Sequence, residues 1–154
     1  MRSVLHVVAG LLLGCSGTLP SPAAPRTLND PTSAVLALAD SILGAAGDRD
    51  AERFASYFSN QPGFRYLINA RQLESREALR TTFAAMLGRQ EFFRPTWQSR
   101  SVQVLTPATA ILTGTFATQA RRLNGEDWTA NGVVTFVAVR ESDAWRVVNW
   151  HTSE

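Results

Sequence analysis

The C-terminal half of the chain constrains the fold most. From Pro95 onward it reads as long, alternating segments separated by short turn signals: Thr96 to Leu105, Thr109 to Arg121, Asp127 to Arg140 and Trp145 to Thr152. The breaks are Thr106-Pro107, Asn124-Gly125 and Ser142-Asp143. Asn-Gly between two alternating runs is the strongest short-range hairpin signal, because the turn needs two residues that accept positive φ. A meander of long antiparallel strands must hide at least one face, so the segment before it has to supply the cover.

That segment is helical. Asp30-Pro31 offers an N-cap followed by proline at the first helical position, and Val35, Leu38, Ala39, Ile42 and Leu43 repeat at helical spacing up to Gly47. Asp48 is placed to cap a second, short helix with Ala51, Phe54, Ala55 and Phe58 as its apolar stripe, stopped by Pro62-Gly63. Phe64 to Asn69 alternates as a strand, with Phe64, Tyr66 and Ile68 on one face. Ser75 caps a third helix whose stripe of Leu79, Phe83, Met86 and Leu87 ends at Gly88. Helix, helix, strand, helix and then a meander predicts an α+β domain with helices on one face of a bent sheet, rather than a doubly wound fold.

Two strands are apolar on both faces. Val133 to Val139 reads Val-Val-Thr-Phe-Val-Ala-Val, and the last strand sets Trp145 and Val147 against Val148 and Trp150. A sheet covered on one side only should show a polar outer face, so a second cover is expected. A homodimer through Val148, Trp150 and Val137 is the simplest one.

The N-terminus carries an address. Met1-Arg2-Ser3 leads into an apolar run from Val4 to Leu13, too short for a spanning helix and suited to a signal peptide. The run ends Leu12-Leu13-Gly14-Cys15, which resembles the lipobox at which bacterial lipoproteins are lipidated. Residues 1–14 are therefore expected to be removed, with Cys15 carrying the lipid and residues 15–26, rich in proline and small residues, forming a tether to a domain spanning 27–154. The resemblance to bacterial lipoproteins implies an anchor in the cell envelope, and Ser16 after the cysteine in place of an aspartate implies, by the same resemblance, the outer membrane facing the periplasm where the host is Gram-negative.

Composition removes several function classes. In 154 residues the net charge is +2, and the basic residues are scattered singly apart from Arg121-Arg122, so no nucleic-acid footprint is expected. Cys15 is the only cysteine, so the domain can form no internal disulfide. The two histidines are His6, in the signal, and His151, so one subunit cannot build a histidine metal cluster. No glycine-rich phosphate loop or dinucleotide fingerprint is present, and no cofactor is expected.

Three stretches then suggest a relationship. Gly47-Asp48-Arg-Asp-Ala-Glu-Arg-Phe-Ala-Ser-Tyr57-Phe58, the helix opening Ser75-Arg-Glu-Ala-Leu79 and the ending Trp145-Arg-Val-Val-Asn-Trp-His151-Thr-Ser153 follow the order and spacing of SnoaL-like domains of the nuclear-transport-factor-2-like superfamily. The ending also resembles the last strand of the calcium/calmodulin-dependent kinase association domain. The resemblance implies a cone-shaped, cystatin-like α+β roll, its curved antiparallel sheet wrapped around three helices. It also implies a pocket open at one end and a dimer through the outer sheet face. It does not imply one activity, since relatives include isomerases, dehydratases, cyclases and binding modules.

Within such a cone, strand alternation puts Trp145, Val147, Asn149 and His151 on one face, expected to point inward. His151 would then serve as hydrogen-bond partner or general base at the pocket, although a histidine simply bonded at a strand end is the commoner case. Tyr66, Tyr57 and Trp97 are further candidates for its lining, with core packing the alternative for the last two. Interior strand positions carry no Asp or Glu; Asp40 flanks the stripe of the first helix, and Asp127 opens a strand beside a turn. The leading expectation is a tethered, dimeric, non-catalytic domain that binds a small, largely apolar molecule. The alternatives are a lyase or isomerase acting on a small hydrophobic carbonyl compound through His151 and Tyr66, with Asp40 as a weaker catalytic candidate, and a cell-envelope assembly module.

Overall fold

Asp30 does cap the first helix, α1 (Pro31–Gly47): its carboxylate accepts from the backbone N–H of Thr32 at 3.4 Å and of Ser33 at 3.0 Å. The structure is a computed structural model that describes residues 30–153; the signal-like segment, Cys15 and the tether lie outside the described residues. The second helix, α2 (Ala51–Ser56), is capped by Asp50, which accepts from Arg53 N–H at 2.9 Å, and not by Asp48, whose carboxylate pairs with the Arg53 guanidinium. Ser75 caps α3 (Arg76–Leu87) by accepting from Ala78 N–H at 3.1 Å. In its first turn Arg80 bonds Glu77 and holds that carboxyl below its ordinary pKa.

The strands are β1 (Arg65–Ile68), β2 (Arg71–Leu73), β3 (Gln90–Thr106), β4 (Thr109–Arg122), β5 (Asp127–Glu141) and β6 (Ala144–Ser153). They form one sheet in the order β2-β1-β6-β5-β4-β3, antiparallel throughout except that β1 runs parallel to β6. The α+β roll expected from the sequence is thus present. Three details differ from expectation. First, β3 starts at Gln90, so Pro95 lies inside a strand, which an edge position permits because no second neighbour needs its missing N–H.

Second, a short hairpin links β1 to β2 through Asn69 and Ala70, both at positive φ, 43° and 64°. This pair has the signs of a two-residue primed turn. Alanine is strained there, so Ala70→Gly is expected to stabilise the domain by about 1 kcal/mol in urea denaturation, and a loss of stability would contradict the turn assignment.

Third, β6 does not alternate regularly. Val137 pairs with Asn149 while the next residue on β5, Ala138, pairs with Val147, so Val148 is an extra residue in a β-bulge. Next to it Val147 accepts from Ser59 N–H at 2.8 Å and donates to the Tyr57 carbonyl at 3.0 Å, whereas from Asn149 onward the same edge pairs with β1. The bulge sits where the neighbour of β6 changes.

The core lies between α1–α3 and the concave sheet face. Phe58, fully buried, is its hub: its ring meets Phe54 at 5.1 Å, Phe64 at 5.9 Å, Tyr66 at 5.7 Å and Trp150 at 5.7 Å.

Candidate functional site

The concave sheet face and the helices do not close completely. They leave a cavity of about 350 Å³ whose walls are mainly the rings of Phe54, Tyr66, Phe83, Phe93, Trp97, Phe116, Trp128 and Trp150. Ile42, Leu43 and Ala46 of α1 and Met86 of α3 complete the apolar surface. The exposed lining residues Asn69 and Arg122 mark its opening.

Two glycines shape this wall. A Cβ on Gly132 would stand 2.5 Å from Phe116 Cζ, and one on Gly114 would stand 2.6 Å from the Ser99 carbonyl oxygen and 3.1 Å from Trp97 Cζ3. Phe116 and Trp97 can lie against the sheet because the residue beside each has no side chain. Phe116 is paired across the strands with Gly132, an aromatic ring covering a bare backbone.

The polar groups in the wall are few. Gln90, buried, accepts from Trp128 Nε1–H at 3.1 Å and donates to the Met86 carbonyl at 3.4 Å. Thr152 donates to the Val133 carbonyl at 3.0 Å, and Arg122 bonds Glu126 at 2.6 Å. The indole N–H groups of Trp97 and Trp150 are buried with no acceptor among the described residues. Among the described residues the lining includes no Asp, Glu or His, and no group of three His, Cys, Asp or Glu side chains is placed to hold a metal.

The site residues expected from the sequence divide. Tyr66 and Trp97 line the cavity. Trp145 and Tyr57 are half-buried and pack against the core without lining the cavity. Asn149 and His151 are corrected: they do not point inward. After the bulge at Val148 the alternation of β6 changes phase, so Asn149 and His151 join the outer face opposite Val137 and Thr135, with His151 exposed. By the same shift Trp150, expected on the outer face, stacks inside between Tyr66 (5.6 Å) and Phe136 (5.3 Å). Of the three residues expected at a dimer interface, Val137 lies on the outer face, Val148 is the bulged residue and Trp150 is withdrawn.

His151 and Tyr66 therefore stand on opposite faces of the sheet and cannot act together on one substrate. Asp40 is exposed and paired with Arg100, away from the lining. Asp127, at the surface, is held below its ordinary pKa by its bonds to Arg121. Reading the sequence missed Phe116, Thr118 and Trp128, although each occupies an inward position of its strand, and Gln90, whose burial could be seen only once β3 was known to start there.

This cone of helices capped by a curved sheet, hollow at its centre, is the nuclear-transport-factor-2-like architecture. Solved structures of the same fold include a nuclear transport factor 2-like superfamily protein from Salmonella enterica, at 14% identity and TM-score 0.71 over 77% of this chain and 87% of that one. A candidate calcium/calmodulin dependent protein kinase II association domain from Xanthomonas campestris aligns at 22% identity and TM-score 0.68, covering 77% and 84%. A candidate scytalone dehydratase from Novosphingobium aromaticivorans aligns at 11% identity and TM-score 0.71, covering 78% and 80%. No curated protein matches the sequence. The family model of the calcium/calmodulin dependent protein kinase II association domain matches residues 32–154, and the chain belongs to that family.

Proposed function

We propose that this protein is an exported, lipid-anchored dimer whose cavity binds a small, largely apolar molecule without transforming it. The observation that carries the reading is the wall itself: aromatic rings around about 350 Å³, with few polar groups and, among the described residues, no Asp, Glu or His. Apolar walls with a few fixed polar groups are what small-ligand pockets require. Proton abstraction or addition of water would need a positioned base, and the imidazole of His151 faces away from the cavity.

The dimer is supported by the outer sheet face. Val133 is 54% exposed, and Val137 and Val139 follow it on the same face of β5, next to Ile111 of β4. That face also favours a second reading, an assembly module of the cell envelope that docks a partner there. The anchor rests on Leu12-Leu13-Gly14-Cys15; among the described residues no helix is long and apolar enough to cross a membrane.

One experiment addresses all three parts. Native mass spectra of the full-length protein, expressed in a bacterial host and released with mild detergent, are expected to show a dimer of chains beginning at a diacylated or triacylated Cys15 and carrying a discrete small adduct. An adduct-free dimer would favour assembly over binding, and an unmodified monomer would remove both the anchor and the dimer.

A further inference from the structure

Among the described residues, large apolar side chains reach solvent at Val104, Leu105, Leu123 and Val133, which are 40%, 50%, 69% and 54% exposed. Leu123 and Val133 stand singly, as surface leucines and valines often do. Val104 and Leu105 are neighbours, and with the exposed Thr106, Pro107 and Ala108 they make up the tip of the β3–β4 hairpin. Leu105 is a bulged residue there: Val104 pairs with Ala110 and Thr106 with Thr109, and both consecutive apolar side chains are exposed. The chain from Ser101 to Ala120 holds no charged residue, so seating this tip in a lipid interface desolvates no ion.

The same end of the domain receives the chain from Cys15. Helix α1 and strand β3 pack antiparallel: a Cβ on Gly47 would meet the Phe93 carbonyl oxygen at 3.7 Å, and the Leu36 carbonyl accepts from the Arg100 guanidinium at 3.5 Å. From that second contact Asp30 lies about 9 Å further along the helix and Leu105 about 17 Å further along the strand, in the same direction. The segment from Cys15 to Asp30 can reach about 50 Å at most. A surface held that near raises the effective concentration of a weak contact, so a tip too small to bind a membrane alone is seated once the anchor holds. At its other end β4 leads to Arg122 at the cavity opening, and Leu123 follows it.

Resting on the lipid anchor proposed above, we infer that Val104, Leu105 and Pro107 form a second membrane contact, seated in the interfacial layer of the bilayer that holds Cys15. The cavity opening then faces away from the lipid, and the cavity takes its ligand from the aqueous side.

The test uses full-length Leu105→Cys and Leu123→Cys chains, purified with their lipid, labelled at the thiol with a nitrobenzoxadiazole fluorophore and placed in phosphatidylethanolamine–phosphatidylglycerol vesicles. A lipidated Cys15 has no free thiol, so each chain takes one label. At position 105 the emission is expected to shift to the blue and to be quenched several-fold more by a spin-labelled lipid than at position 123. Adding Val104→Asp to the Leu105→Cys chain should bring its quenching down to the level of position 123. Equal quenching at the two positions in the chains without Val104→Asp would overturn the inference. Stronger quenching at position 123 would also overturn it, in favour of a cavity that opens on the bilayer. Two labels on each chain would instead show Cys15 to be free, which removes the anchor and the inference with it.

Discussion

Trp150→Glu is expected to leave the domain unfolded or nearly so, whereas His151→Ala, one residue along the same strand, is expected to change its stability by no more than about 0.5 kcal/mol. Trp150 is 5% exposed and stacked on two rings, so a carboxylate there would be buried against aromatic faces. An unpaired buried charge costs about 3–5 kcal/mol, a large part of the 5–15 kcal/mol that holds an ordinary domain together. His151 is exposed on the other face. Urea denaturation of the two variants decides the matter: a small loss for Trp150→Glu with a larger one for His151→Ala would mean that β6 alternates without its bulge and that His151 faces the interior.

Phe58→Ala should cost about 3–5 kcal/mol, the range for emptying a buried aromatic site. The residue is fully buried, and four rings pack on it, coming from α2, the loop before β1, β1 and β6. Phe58 also bridges to Val147 at the place where β6 changes neighbour. The loss should therefore appear as one cooperative transition moved to lower denaturant, because the same side chain joins the helical layer to the sheet. A cost below about 1 kcal/mol would show that these rings close over the gap and that the hub is elsewhere.

Much of the architecture was legible because it is encoded locally. The Asp30-Pro31 start of α1, the Ser75 cap and the Asn124-Gly125 turn each depend on residues adjacent in the chain, and each is found where the sequence puts it. The bulge at Val148 was not legible, since it arises from a meeting of β6 with two different partners, the Tyr57–Ser59 segment and β1. One signal did point to it. Trp145 and Trp150 are five residues apart, so a regular strand would turn one of these large rings outward; a single extra residue lets both pack toward the core.

The site shows the same division. Tyr66 and Trp97 could be placed from strand alternation, but His151 and Asn149 lay beyond the bulge and were assigned to the wrong face. Gly114 and Gly132 gave no local sign of their role, because a glycine in a strand acquires it only from the ring that lies across it.

Whether ligands enter the cavity is best decided by titrating 9-fluorenone into the wild-type protein, Met86→Trp and His151→Ala, following intrinsic tryptophan fluorescence. Met86 is half-buried in the cavity wall, so an indole in its place fills part of the space, while His151 stands on the far face of the sheet. The cavity account predicts an affinity loss of about ten-fold or more for Met86→Trp, equivalent to about 1.4 kcal/mol, and no change for His151→Ala. Unchanged binding in Met86→Trp together with a loss in His151→Ala would contradict it and move the binding surface to the outside of the sheet.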